Sequence, residues 1–297
     1  MQNISPRQLE VFVGIADAGS VRVAAERLHL TQPAASMALA ELERHLDAPL
    51  FARDRGRLHL NERGRDLLPL AREILERLDE MCRRATDEPD QLRGELRLGA
   101  SNTVGNYLVG DLLGVFARAH PQVSVRLEVD NTHGIVAAVR EHRLDVGCVE
   151  GMVMQPDIEV RPWRNDKLVV CARPDHPLAL RRSLRAAHFA GANWIMREPG
   201  SATRALSERA LASLPPGQTV LELGQIEAIK QAVIAGLGLA CLPEVAVGDA
   251  VDAGRLAVLK TPFLDMQRRL SLVLARGAYH GALVKAFVAS AGQLDAM

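Results

Sequence analysis

The stretch "LTQPAASMALAELERHL", residues 30–46, decides the fold of the amino-terminal part of this chain. Ala35, Leu39, Leu42 and Leu46 recur at helical spacing, so they predict a helix with one buried stripe. Thr31 is placed to cap it, and Pro33 falls in the first turn, where its missing N–H costs nothing. The other side offers Gln32, Ser36 and small residues such as Ala34 and Ala40, a neutral face without bulk. Upstream, Leu9, Phe12, Val13 and Ala16 make a helical stripe that ends at Gly19. Ser20 then caps a helix whose Val23, Ala24 and Leu28 face inward. Two helices joined by a tight turn, the second opening on Gln and Ser, match a helix-turn-helix. Its small residues let the helix sink into a major groove about 12 Å wide, where Gln32 can bond adenine and Ser36 can reach a base or a phosphate. The following "APLFARDRGRLHLNERG" reads as two short extended runs around residues 54–57, a hairpin. It carries Arg53, Arg55 and Arg57, followed by Arg63 and Arg65, against Asp54 and Glu62. That local positive excess suits backbone phosphates.

Elsewhere the composition is that of an ordinary globular protein, with 48% hydrophobic and 24% charged residues. Net charge is zero, so no global field draws the chain to nucleic acid or membrane, and any such partner is held by a local patch. The start shows no signal-peptide pattern. The longest apolar run, "QAVIAGLGLACLP" at 231–243, is too short to span a bilayer. Cys82, Cys148, Cys171 and Cys241 show no C-x-x-C spacing, so neither zinc nor a disulfide framework is indicated. The expectation is a cytoplasmic protein with reduced thiols, no metal and no cofactor. Catalysis is not expected. No histidines stand in H-x-x-x-H or H-E-x-x-H spacing, and Ser201 lacks a G-x-S-x-G frame.

From Glu62 to Ala85 runs one long helical pattern. Leu68, Ala71, Leu75, Leu78, Cys82 and Ala85 are spaced 3, 4, 3, 4 and 3, an a/d seam of about three heptads. That predicts a dimerising linker helix over 62–89, after a DNA-binding domain at 1–61. Beyond Pro89 strands and helices alternate, which predicts an α/β domain at 90–297 with a mainly parallel sheet. The strands are "ELRLGAS", "QVSVRLEVDN", "LDVGCVEG" and a second series from "DKLVVCARPDHP"; Val104–His120 is expected as one helix. "RRLSLVLA" and a last helix, His280–Leu294, return to the first series. Two lobes follow, one from 90–163 and 268–297, the other from 164–267, with a cleft between them.

Three helix starts in this domain carry clusters of small donors: Ser101, Asn102 and Thr103; Asn131 and Thr132; Ser201 and Thr203 after Gly200. Helix starts expose free N–H groups and a partial positive charge, which suits an anion. Arg197 or Arg204 is positioned to add a full charge. Each cluster alone is explained by capping; a ligand site requires that the two lobes aim them together.

The frame A-A-x-x-L…Q-P-A-x-S…L-E…L-F-x-R within residues 9–54 resembles the LysR-type transcriptional regulators, and the resemblance covers the whole chain. It implies a winged helix-turn-helix, a dimerising linker helix, and a two-lobed domain like periplasmic binding proteins, in a homodimer or homotetramer. It assigns Gln32, Pro33 and Ser36 to DNA contact, with Met37 just beyond, and Arg53 to the wing; Thr31 and Arg55 join the expected DNA-binding set from the cap and the basic hairpin read above. Met37 stands where the family often has Arg or another polar residue. "GSVRVAA" replaces the usual G-S-F-T-x-A-A, and Asn61 a usual Thr. The family places effectors at the junctions matching Ser101–Thr103 and Asn131–Thr132. The effector segments look most like members governing sulfur assimilation, sulfite handling or carbon fixation. They hold almost no aromatic residues, which favours a small oxyanion such as sulfite or sulfate. Glu150 beside an anion either orients a neighbour or favours a protonated ligand. The alternatives are a phosphorylated metabolite or a nicotinamide cofactor as effector, or an anion-binding module that does not read DNA.

Overall fold

The fold is that of a computed structural model, which describes residues 3–54, 57–84 and 92–294. The chain divides into two compact units: residues 1–93 with 141–143 and 277–285, and residues 94–140, 144–276 and 286–297.

The first unit opens with α1 (Pro6–Ala18), α2 (Val21–Arg27) and α3 (Gln32–Leu46). A reciprocal capping box between Ser5 and Gln8 starts α1, and Gly19 in the left-handed region ends it. Leu9, Val11, Phe12 and Ile15 bury against Ala24, Ala25, Ala35, Leu39 and Leu42. The hairpin follows as β1 (Phe51–Asp54) and β2 (Arg57–Leu60), paired antiparallel. The long helix α4 runs Glu62–Arg84.

The a/d seam expected on α4 needs correction. Leu68 and Ala71 are buried in the core made with α1 and α3, and Leu75 packs on its edge. Three helices and a hairpin leave one side of that core open, and the first turns of α4 close it. A different apolar stripe stays in solvent: Leu70 at 53%, Ile74 at 46% and Met81 at 61% exposure. Ala85 lies outside the described residues. Also within this unit, Arg72 bonds Asp17 and the His142 carbonyl. The Arg77 guanidinium sits over the Tyr279 ring, 4.2 Å from its centre, and the Tyr279 hydroxyl donates to Glu80.

The second unit is α/β. Its elements are β3 (Gly94–Ser101), α5 (Asn102–Tyr107), α6 (Val109–Ala119), β4 (Val123–Asp130), α7 (Thr132–Arg140), β5 (Val146–Glu150) and β6 (Ile158–Ala172). Then come β7 (Asn193–Met196), α8 (Ala202–Leu211), β8 (Gln218–Glu222), α9 (Ile226–Ile234), β9 (Ala240–Pro243), α10 (Glu244–Asp252), β10 (Ala257–Leu259), β11 (Gln267–Ala275) and α11 (Ala282–Leu294). In one sheet of seven strands the order is β10-β6-β11-β5-β3-β4, with β9 also on β6. Pairs β3–β4 and β3–β5 are parallel, as is β7–β8. The expected parallel sheet is thus only partial, because β6 and β11 run antiparallel along their length and carry the chain between the lobes. Val104–His120 is not one helix: α5 and α6 part at Leu108 (φ −125°, ψ −29°).

Each lobe has its own core. In the second, Leu168, Val170, Phe189, Trp194 and Leu206 pack on one side of the sheet, and Ile195, Ile226, Ile229, Val233 and Leu242 on the other. Cys241 belongs to the first group and Cys171 to the second, although their strands are neighbours. All four cysteines are free thiols. Among the described residues no helix is long and apolar enough to cross a membrane.

Candidate functional site

Two places gather the residues singled out in the sequence. In the first unit, Thr31 caps α3: its hydroxyl accepts from the Ala34 N–H at 3.3 Å. The turn before it uses His29 at positive φ (54°) and a Leu30 N–H to Ala25 carbonyl bond of 2.8 Å. Arg7 ties the same turn to α1 by donating to the Leu28 carbonyl at 2.8 Å. Ala35, Leu39 and Leu42 bury, which turns Thr31, Gln32, Pro33, Ser36, Met37 and Ala40 outward, all exposed. No charged group stands among those six. In the hairpin, Arg53 pairs with Leu58 and Asp54 with Arg57. Arg55 lies outside the described residues, as does the Arg53 side chain.

In the second unit, the helix-start clusters and one strand from the crossing pair converge. Ser101, Asn102, Thr103, Thr132, Glu150, Arg197, Ser201 and Thr203 are all buried; Asn131 is half-buried. The Thr103 hydroxyl donates to Glu150 Oε1 at 3.1 Å, the Ser101 hydroxyl donates to Oε2, and the Thr132 hydroxyl donates to the Glu150 carbonyl at 3.2 Å. Those hydroxyls are therefore committed to Glu150. Asn131 and Ser201 act as caps, accepting from Gly134 N–H at 3.0 Å and Arg204 N–H at 3.4 Å. Arg204 is held within its own lobe by Glu208, Glu222 and the Arg197 carbonyl.

The sequence reading did not single out Arg268 and Asp166. From β11, Arg268 donates to Thr103 in the first lobe (3.0 Å) and Thr203 in the second (2.9 Å). It pairs with Asp166 at 2.6 Å and stands 3.8 Å from Glu150. No alternation points to Arg268, since every residue from Leu270 to Ala275 is buried; what places it is the antiparallel register, which sets it opposite Asp166.

Burial pushes the Glu150 carboxyl above the usual carboxylate range; the Arg268 charge, the Thr103 hydroxyl and the Arg197 charge oppose that. Arg197 is buried, and its Nε and Nη2 bond Glu198 at 2.8 Å. Its Nη1 is buried without a hydrogen-bond partner, as is the side-chain oxygen of Asn102. A guanidinium N–H out of water with nothing to donate to carries a cost that an anionic ligand removes.

The lobes also meet directly. The His133 N–H donates to the Gly200 carbonyl at 3.3 Å. Gly151 (φ +85°) faces Ala202 so closely that a Cβ there would lie 2.7 Å from that of Ala202. The Tyr107 hydroxyl meets Glu227 at 3.4 Å, and burial with that carboxylate raises the phenol to about 12. A groove of about 680 Å³ opens beside Thr132, Ser201 and Arg268 and is walled by Met152, Met154 and Val160.

Residues 6–65 match the bacterial regulatory helix-turn-helix protein family of lysR type, and residues 89–295 match the LysR substrate binding domain. The HTH-type transcriptional regulator YeiE of Escherichia coli strain K12 is 38% identical over 269 residues, 90% of each chain. The RuBisCO operon transcriptional regulator of Allochromatium vinosum is 34% identical over 278 residues, 93% of this chain and 91% of that one. Among solved structures, the Synechocystis PCC6803 CcmR regulatory domain in complex with 2-PG superposes with a TM-score of 0.63 at 28% identity. It covers 68% of this chain and 98% of its own.

Proposed function

This chain belongs to the LysR family of DNA-binding transcriptional regulators, and on that premise we propose that α3 reads an operator while a small oxyanion held between the two lobes sets how tightly it does so. The family is one of regulators, not enzymes. In this reading residues 1–61 bind DNA, with Gln32, Pro33 and Ser36 at base edges and Arg53 and Arg55 on phosphates. Residues 62–89 join two copies and residues 90–297 hold the effector. Dimers pair into tetramers, and the protein works in the cytoplasm, where its operator is.

The observation that carries the effector reading is the unpartnered Nη1 of buried Arg197, whose charge acts on the buried Glu150 carboxyl. The free Nη1 offers an anion a donor although the Arg197 and Arg268 guanidinium groups are both already paired with carboxylates; Glu150 disfavours a second negative charge on it. A singly charged, protonated anion such as hydrogen sulfite meets both conditions, because it can also donate to Glu150. Sulfate meets only the first. A second reading has its own support: the CcmR domain holds 2-PG, and the 680 Å³ groove exceeds what an inorganic anion fills. A phosphorylated small acid then places its phosphate at the arginines and its body in the groove.

Calorimetric titration of the full chain with sulfite, sulfate, thiosulfate, phosphate and 2-PG distinguishes these, with a footprint on operator DNA in parallel. Sulfite binding that Arg197→Ala abolishes while DNA binding persists supports the first reading. Tight binding of 2-PG alone supports the second. Binding of none of the five overturns both.

A further inference from the structure

Met37 is exposed on the first turns of the helix proposed to read DNA. At 3.6 residues per turn it lies opposite the buried stripe of Ala35, Leu39 and Leu42. It is 69% exposed, against 61% for Met81, 53% for Leu70 and 46% for Ile74 among the described residues of the first unit. Pro33 and Ala40 flank it toward one side and Ser36 stands beside it, all uncharged, while Glu41, one turn on, is bonded by Gln8. A bare thioether chain in this position cannot accept or donate a useful hydrogen bond to a base edge. It gains only by leaving water against another apolar group. The major groove offers one such group on its base edges, the 5-methyl of thymine.

We propose that Met37 is a specificity-determining residue that recognises a thymine 5-methyl group in each operator half-site. This rests on α3 being the reading helix. The unbranched Met side chain adapts to the methyl without the fixed donor geometry that a bidentate Arg imposes on guanine. The contact selects thymine over cytosine by packing alone, so its strength is that of one buried methyl, about fourfold in affinity per half-site.

Removing the methyl without touching any hydrogen-bonding group tests this. An operator is selected from a random duplex pool with the wild-type chain, and each thymine is replaced in turn by deoxyuridine. Wild type is expected to lose about fourfold at one thymine position per half-site. Met37→Ala binds the unmodified operator more weakly and shows no further loss at that position. Since the first comparison needs only wild-type protein, folding of the variant does not decide the matter. Wild type indifferent to deoxyuridine everywhere overturns the proposal while leaving α3 as the reader. So does a Met37→Ala variant that keeps the same deoxyuridine sensitivity. Selection of no preferred sequence at all overturns the reading helix itself.

Discussion

Thr103 and Thr203, one in each lobe, are joined through a single guanidinium: Arg268 donates to both hydroxyls, at 3.0 and 2.9 Å. The crossing strand that links the lobes is thus also what ties the candidate site together. On the proposed reading, an anion entering here competes for donors already in use, and what it gains is the difference between the two arrangements. Only a ligand that prefers one arrangement of the lobes shifts the protein's state.

Glu150→Gln tests the charge at the centre of that site. The Glu150 pKa is raised in the folded chain. At low pH both folded and unfolded states hold the proton. As pH rises the unfolded state ionises first, so wild-type stability falls until the folded pKa is passed, then levels off. Gln does not ionise. The melting temperature of Glu150→Gln minus that of wild type therefore grows as pH rises above about 4, the ordinary carboxylate value. Anion affinity in wild type falls over the same range and is flatter in the variant. A difference in melting temperature that stays constant with pH shows that ionising Glu150 costs the fold nothing.

Gly151→Ala acts on the approach of the lobes. The new methyl meets Ala202 at 2.7 Å, and the backbone holds φ +85°, where an L side chain is strained. The variant is expected to lose at least tenfold in anion affinity by calorimetry while keeping operator binding at no added ligand. Unchanged anion affinity shows that this contact does not matter to the site.

Leu68→Ala and Ile74→Asp separate the two apolar stripes of α4. Leu68 is 5% exposed within the α1–α3 core, so its truncation costs about 2–5 kcal/mol, read by urea denaturation of the DNA-binding part. Ile74 is 46% exposed, and its change to Asp leaves that transition in place while lowering the particle mass in light scattering. Ile74→Asp with wild-type mass at micromolar concentration removes the stripe from any interface between copies.

Gln32→Ala is expected to cost about 1–3 kcal/mol in operator binding and little on random duplex, as befits one base contact. Competition gel shifts check it. Equal loss on both DNAs makes Gln32 a general contact instead.

The helix-turn-helix was legible because its cues are local: a cap at Thr31, a proline at the second position, and a stripe at 35, 39 and 42 that no other element contradicts. The stripe on α4 was legible as apolar but not as to partner. Periodicity shows that Leu68 and Ala71 bury, not whether they bury in their own chain. The effector cluster was half legible. Helix starts announced Thr103, Thr132 and Thr203, but the first two donate to Glu150, 47 residues along the chain from Thr103, and the third accepts from Arg268. Arg268 lies 165 residues from Thr103, and only the long antiparallel register of β6 and β11 brings it there. That register also hid β6 itself. A 15-residue strand passing from one lobe's core to the other changes its buried face on the way, with Trp163 donating to the Ala291 carbonyl at 3.1 Å in between. Its alternation therefore reads as two fragments.

The placement of the cysteines has a practical outcome. Cys171 and Cys241 sit one register step apart on neighbouring strands, so they face opposite sides and cannot join. Burial raises both thiols to about 12 and that of Cys148 higher still, so near neutral pH their thiolate fraction is negligible. Cys82, exposed on α4, is the remaining thiol. A maleimide at neutral pH should mark that position alone in the folded wild-type chain. Spin labels there, one on each of two copies, measure the separation of their α4 helices by dipolar spectroscopy. The native sequence thus carries its own molecular ruler for assembly, with no cysteine to remove and none to add.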